Sequence, residues 1–247
     1  METSEIRVET GAMLYVADPD GPGEGEPCLL ICPGLPVCQS EATAARRNYR
    51  DLAERLCQDA GWAVATLDTD AFCGPDWEFS VSAWIANLEA AVAKLLQAKS
   101  SVWLAGFGEG GTVALCVGGS DPRIAGVVAL GAPADFSSWT ADPDAIIRRA
   151  VELGLLKGQG AAVDMAAWVR DLQELRPLEA VTKLPPRPVL LLHGSEDEQV
   201  SSLDARAYLD AMEGHAQLRI LPGADHALRH DPRAVAILGG WMDRQRP

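Results

Sequence analysis

Residues 101–111 read Ser-Val-Trp-Leu-Ala-Gly-Phe-Gly-Glu-Gly-Gly, an apolar run that ends in a cluster of glycines. A run of mostly small residues, 112–117, follows it. A buried strand is typically a short apolar run, and a sharp turn favours glycine. The order of residues therefore predicts one unit in which a strand passes through a tight turn into a helix.

The same alternation of strand and helix extends on both sides of this unit. Further strands are predicted at 6–8, 13–16, 28–32, 62–67, 124–130, 189–192 and 217–221. Amphipathic helices are predicted from about residues 40 and 80 onward, and over 202–212 and 232–244. The first two strands are short and alternating, which indicates an antiparallel pair at a sheet edge. The remaining alternation predicts an α/β fold with a mostly parallel, doubly wound sheet of about eight strands.

Residues 134–185 break this rhythm. Two helical segments are predicted there, at 144–156 and 164–175, with no strand between them. We expect a small helical cap, inserted within a single domain that spans residues 1–247. Another segment, 18–26, is rich in glycine, proline and acidic residues and predicts a surface loop.

Composition narrows the class of protein and its partners. Hydrophobic residues make up 48% of the chain, which implies a substantial core, and the net charge of −14 argues against nucleic acid and anionic membranes. No apolar window is long enough to span a bilayer, and the N-terminus has no signal-peptide pattern. The six cysteines lie mostly in apolar runs without a C-x-x-C pair. We therefore expect a cytoplasmic monomer or homodimer with no disulfide, metal site or cofactor.

Two predicted strand ends carry further polar residues. Residues 193–197, His-Gly-Ser-Glu-Asp, follow one buried strand, and residues 222–226, Pro-Gly-Ala-Asp-His, follow the last strand. In a parallel sheet, functional residues gather at the carboxyl ends of the strands. Together with the glycine turn, these loops give the order of nucleophile, acid and histidine. In this order the whole chain resembles the α/β-hydrolase fold, and in particular its esterases and dienelactone hydrolases.

The resemblance implies a role for several residues. Asp197 matches the catalytic acid of the family, and His226 matches its general base. Leu35, in the loop after the strand at 28–32, matches one amide of the oxyanion hole, and the backbone N–H of Glu109 matches the other. Phe107 and the cap residues Trp139 and Trp168 are then candidates to bind substrate, and the apolar character of the cap indicates a small apolar or acyl-type molecule.

The sequence departs from the family at the nucleophile. Residues 106–110 read Gly-Phe-Gly-Glu-Gly, so the Gly-x-Ser-x-Gly pattern of the nucleophile elbow holds Gly108 where the serine belongs. Removing the serine from such a site lowers turnover by about a million-fold. Glycine also tolerates the positive φ that this turn requires. The sequence therefore excludes a covalent acyl-enzyme through residue 108.

No other side chain is a strong replacement for the serine. The alternatives weighed for the serine are the side chain of Glu109, the thiols of Cys32, Cys38 and Cys73, and Ser195. Asp135 is an alternative to Asp197 as the acid. The other polar candidates are interpreted as structural or surface residues, namely His193, His215, Asp225 and His230. Free cysteines in apolar surroundings are usually unreactive.

Three functions remain open at the level of sequence. The chain is a ligand-binding relative of the hydrolases without serine catalysis, or a hydrolase or lyase that uses His226, Asp197 and water. The third is an esterase-like hydrolase whose nucleophile has been substituted at residue 108. The fold does not choose among them.

Overall fold

Eight strands form one sheet in the computed structural model, which describes residues 1–19, 25–34, 39–68, 80–137, 142 and 165–246. The strands are β1 (Glu2–Arg7), β2 (Met13–Asp18), β3 (Pro27–Cys32), β4 (Ala63–Leu67), β5 (Ser101–Phe107), β6 (Ile124–Leu130), β7 (Val189–Gly194) and β8 (Gln217–Leu221). Their order across the sheet is β1-β2-β4-β3-β5-β6-β7-β8. The pairs β1–β2 and β2–β4 are antiparallel and the other five are parallel. The predicted fold class is confirmed.

The helices lie between the strands as the alternation predicted. They are α1 (Gln39–Ala60), α2 (Val81–Leu95), α3 (Glu109–Ser120), α4 (Met165–Glu174), α5 (Pro177–Val181), α6 (Ser202–Ala211) and α7 (Pro232–Asp243). The Ser80 side chain caps α2 by accepting a hydrogen bond from the Ala83 amide, as is typical of a helix start. The first predicted cap helix, 144–156, lies outside the described residues, and α4 corresponds to the second.

Strands β3 to β7 are buried on both faces of the sheet, which explains why they are almost continuously apolar. Alternate residues of β5 point to opposite sides: Leu104 packs into one cluster with α2, α3 and α6, and Trp103 packs into the other with α1 and α7. On the second side, the Trp103 ring contacts those of Trp62 and Trp241 edge to face, with centroids 5.7 and 5.4 Å apart. The two clusters fix β5, and β5 leads into the glycine turn.

A buried ion pair ties the sheet together at the end opposite this turn. Asp18, the last residue of β2, is salt-bridged to Lys99, which lies just before β5, and their side chains are only 7% and 5% exposed. The sequence placed Asp18 in a surface loop, and that prediction is wrong. Its partner is 81 residues away in the chain, so local composition could not reveal the pairing.

Among the residues that the structure describes, no helix combines the length and the apolar character that crossing a membrane requires.

Candidate functional site

The turn between β5 and α3 depends on the backbone conformation of Gly108. This residue has φ 53° and ψ −129° and caps the N-terminus of α3. A positive φ is costly for residues that carry a Cβ, so glycine suits the position. The Gly108 amide donates to the carbonyl of Leu130 at 2.8 Å, and the Gly111 amide donates to the Gly108 carbonyl at 2.9 Å. The turn is therefore anchored to β6 and to its own helix.

A close backbone approach fixes the first turn of α3 against the loop after β3. A Cβ atom on Gly110 would lie 2.3 Å from the carbonyl oxygen of Pro33, and one on Gly34 would lie 2.5 Å from that of Phe107. Neither position has room for a side chain. The Gly34 amide also donates to the Tyr49 hydroxyl at 3.2 Å. These contacts hold the segment that precedes Leu35 against the turn.

Asp197 and His226 form a hydrogen-bonded pair at the same edge of the sheet. Asp197 follows β7 and His226 follows β8, and Nδ1 of His226 lies 2.8 Å from Oδ2 of Asp197. The other carboxylate oxygen accepts from the amides of Gln199 and Val200, each at 2.9 Å. A carboxylate only accepts, so Nδ1 carries a proton and Nε2 is the atom available for chemistry.

The pair shifts the pKa values of both partners in opposite directions. Burial raises the pKa of Asp197, but the hydrogen bond from His226, the Val200 amide and the charge of His226 outweigh it and leave the pKa below its ordinary value. Burial lowers the pKa of His226, but the hydrogen bond and charge of Asp197 outweigh it and raise the pKa. The pair thus favours an ionised carboxylate and a more basic imidazole.

The imidazole of His226 faces Gly108. A Cβ atom built on Gly108 would lie 3.2 Å from Nε2 of His226 and 3.9 Å from the Cα of Gly34. The first distance is shorter than an ordinary van der Waals contact, so the ring partly fills the space that a side chain would need. The structure therefore brings together Gly108, Asp197 and His226; the catalytic roles that the resemblance implied for these positions stay predictions.

The remaining predicted site residues have different placements. Glu109 is the first residue of α3, and its backbone N–H is at the helix N-terminus beside the turn. The Phe107 ring is 6% exposed and packs edge to face on Tyr49, with ring centroids 5.5 Å apart. Leu35 and Trp139 lie outside the described residues, as does the side chain of Trp168. Their proposed roles stay predictions.

A cavity of about 420 Å³ opens beside Glu109. The described residues that line it are Glu109, Pro133, Asp135, Ser137, Gln199, Val200, Ser201 and Asp204. This part of the wall is mostly polar and carries three carboxylates, whereas the sequence indicated an apolar ligand on the basis of cap residues. Burial raises the pKa of Asp204, whose carboxylate accepts from the Ala134 amide at 3.1 Å.

Two of the alternative site residues, Asp135 and Cys32, have surroundings that do not suit them to replace the serine or the acid. Asp135 accepts from the amide and hydroxyl of Ser137, while Asp197 is the acid that contacts His226. Burial raises the pKa of the Cys32 thiol to about 12, so it stays protonated and unreactive. Cys38 and Cys73 lie outside the described residues. Within the described ranges, no group of histidine, cysteine and acidic residues is arranged to hold a metal ion.

One residue near the pair was underestimated from the sequence. His193 was interpreted as a structural strand-end residue, and its Nε2 lies 3.4 Å from Oδ2 of Asp197. The available signal was a histidine at the end of an otherwise apolar strand, Val-Leu-Leu-Leu-His-Gly, since a buried polar side chain needs partners.

Comparisons with known proteins agree with the fold of the chain. The sequence profile of the alpha/beta hydrolase family matches residues 25–237. Similar solved structures include the esterase domain of a Rhodothermus marinus protein, which is 20% identical with a TM-score of 0.67 over 98% of each chain. Est1E from Butyrivibrio proteoclasticus is 22% identical, with a TM-score of 0.67 over 99% of this chain and 97% of that one. Carboxyl esterase 2 from the fungus Tuber melanosporum is 16% identical, with a TM-score of 0.68 over 98% and 85% of the two chains.

No curated protein sequence matches the chain. At identities this low, the structural similarity establishes the fold and leaves the reaction open.

Proposed function

Since the chain belongs to the alpha/beta hydrolase family, we propose that it binds a small acyl-type ligand at the family's active-site position without serine catalysis. One observation carries the proposal. Residue 108 has no side-chain atom, and the space for its Cβ is already crowded by Nε2 of His226 at 3.2 Å. Nucleophilic acyl transfer needs an attacking side-chain atom next to its base. At the elbow of this chain only the base is present.

The groups that remain suit a ligand with a carbonyl oxygen. The N–H of Glu109 lies at the start of a 12-residue helix, where the aligned backbone dipoles favour the negative end of a bound group. When protonated, Nε2 of His226 supplies a second donor, and the raised pKa of this imidazole favours that form. Such donors would hold a carbonyl oxygen without any covalent step.

A second function is favoured by the intact Asp197–His226 pair. The 2.8 Å hydrogen bond orients the imidazole so that Nε2 faces the vacant position at Gly108. An imidazole oriented in this way is able to act as a general base toward water. The chain would then hydrolyse an activated ester slowly, with water as the nucleophile.

Ester hydrolysis distinguishes the possibilities. Turnover of p-nitrophenyl acetate and butyrate is measured for the unmodified protein and for Gly108→Ser, His226→Ala and His215→Ala. His215 is an exposed histidine that hydrogen-bonds the Arg187 carbonyl, so it is the matched control. The ligand-binding proposal predicts no turnover above that of the His226→Ala variant. It also predicts that N-phenylbutanamide, which resists hydrolysis, raises the melting temperature in a dose-dependent way.

Two results would contradict the binding proposal. Turnover by the unmodified protein that is lost in His226→Ala and kept in His215→Ala would establish the water-based hydrolase instead. A fluorophosphonate adduct on the unmodified chain, located by peptide mass spectrometry, would reveal another nucleophile. Activity gained only by Gly108→Ser is the result expected of a binding protein that preserves the rest of the hydrolase site, or of an esterase-like hydrolase whose serine has been substituted.

A further inference from the structure

His193 occupies a buried position beside the acid loop, which we define as residues 195–200. It is the second-to-last residue of β7, and its side chain is fully buried. Nε2 lies 3.0 Å from the carbonyl oxygen of Val200 and 3.4 Å from Oδ2 of Asp197. Both oxygens only accept hydrogen bonds, so Nε2 carries a proton and points between them.

The other ring nitrogen of His193, Nδ1, lowers the stability of the folded state. Nδ1 is buried and has no hydrogen-bond partner among the described residues. An unpaired buried polar atom destabilises the folded state, and an apolar side chain of similar size would avoid that penalty. The contacts of Nε2 with the acid loop are the feature that an apolar residue would lose.

The acid loop is hydrogen-bonded at both ends, and His193 binds its C-terminal, or far, end. At the near end, the amide of Ser195 donates to Leu221 and that of Glu196 donates to Ala224, each at 2.9 Å. Between the ends, residues 198 and 199 are exposed. At the far end, the Val200 amide donates to Asp197 while the Val200 carbonyl accepts from His193.

We propose that His193 is a positioning residue that fixes the acid loop so that the carboxylate of Asp197 faces His226. The Nε2–H of His193 donates to the carbonyl of Val200, and the amide of Val200 donates to one carboxylate oxygen of Asp197. Nε2 of His193 also contacts the other carboxylate oxygen of Asp197 directly. The inference rests on the proposed function, because it takes Asp197 and His226 as the working pair.

An NMR titration of the His226 ring in the ligand-free protein tests this role. His193→Phe keeps a ring of similar size and removes both nitrogens. His193→Gln places an amide N–H near the position of Nε2, so it is the conservative rescue. His215→Phe, at an exposed histidine, is the control and helps to assign the ring signals. The other charged groups that act on His226, which are Glu109 and Arg229, are the same in all these variants.

The direction of the pKa change is decisive. If His193 positions the carboxylate, His193→Phe frees Asp197 to turn away, and the pKa of His226 falls toward the ordinary value of a histidine. His193→Gln then restores it, and His215→Phe leaves it unchanged. If His193 acted only through the positive end of its N–H dipole, its removal would raise the pKa of His226.

A rise or no change in the pKa of His226 would therefore overturn the proposal. Should His193→Phe fail to fold by circular dichroism, His193→Asn is the second variant, because its amide is too short to reach the Nε2 position. The same fall is expected for it. The titration needs no ligand, so a failed thermal shift with N-phenylbutanamide would contradict the binding function and leave this result standing.

Discussion

The substitution Gly108→Ala tests the geometry of the elbow with one added methyl group. Alanine at this position must adopt a φ of 53°, and its Cβ would lie 3.2 Å from Nε2 of His226. A residue with a Cβ in such a sparsely populated backbone region costs about 1–3 kcal/mol. The crowded contact moves the expected cost toward the upper part of this range, because the imidazole must move by a few tenths of an ångström or the turn must open.

We therefore expect Gly108→Ala to lower the free energy of unfolding by about 1–3 kcal/mol. For a domain of this size, that corresponds to a fall in melting temperature of roughly 2–12 °C, at about 2–4 °C per kcal/mol. Urea unfolding followed by tryptophan fluorescence measures the first quantity, and differential scanning calorimetry measures the second. Gly239→Ala is the control, since Gly239 lies inside α7 with nothing within 4 Å of its Cβ position. Alanine there should stabilise the protein.

A double-mutant cycle separates the two causes. His226→Ala removes the ring, so in that background Gly108→Ala retains the backbone strain and loses the crowding. The cost should then shrink, with a coupling energy of about 0.5 kcal/mol or more between the two sites. Two results would refute the reasoning: Gly108→Ala as stable as the unmodified protein, or an equal cost in both backgrounds. The first would mean that the turn tolerates a side chain, and the second that the imidazole does not face it.

Three further predictions concern the ion pair, the site histidine and the buried thiols. Lys99→Met leaves Asp18 buried without its partner and should cost about 3–5 kcal/mol in urea unfolding. Because its pKa is raised in the folded state, His226 stabilises the fold below its unfolded pKa of about 6.5, and this contribution is lost as the pH rises through the folded value. The stability difference between the unmodified protein and His226→Ala should therefore shrink from pH 6 to pH 9. Burial raises the pKa of Cys28 and of Cys32 to about 12, so iodoacetamide at pH 8 should label neither until the protein is unfolded.

Each of these predictions has a control and a contradicting result. Lys94→Met removes an exposed lysine of α2, and an effect as large as that of Lys99→Met would deny the special role of the buried pair. His215→Ala should leave the pH profile of stability unchanged. If the profile of His226→Ala ran parallel to that of the unmodified protein, it would contradict the raised pKa of His226. Labelling of either cysteine in the native protein, detected by peptide mass spectrometry, would show that its thiol is accessible.

Most strands and helices could be predicted from the sequence because apolar runs, glycines and helix caps are local patterns. The apolar run and glycines of residues 101–111 define β5, the turn and the start of α3, and Ser80 marks the start of α2. The short helix α5 was not predicted, because five residues that begin with a proline show no amphipathic period. Its proline at the first position is the start signal that remained.

The sequence predicted which residues lie at the site, but it could not predict the distances between them. Chain order placed Asp197 and His226 at neighbouring strand ends, but no sequence pattern encodes the 3.2 Å between Nε2 and the Cβ position of Gly108. The second contact of Asp197, with His193, was missed for a related reason. A histidine that ends a strand is usually satisfied by local partners, and here its importance depends on how a loop folds back over it.

The location of β8 at the border of the sheet makes the integrity of the site depend on a short, half-exposed strand. This strand has five residues, pairs only with β7 among the described strands, and is followed by the loop that carries His226. Local opening events in proteins begin where few buried contacts resist them. Any fraying that detaches β8 therefore separates the imidazole from its carboxylate while the tryptophan-lined interior stays folded.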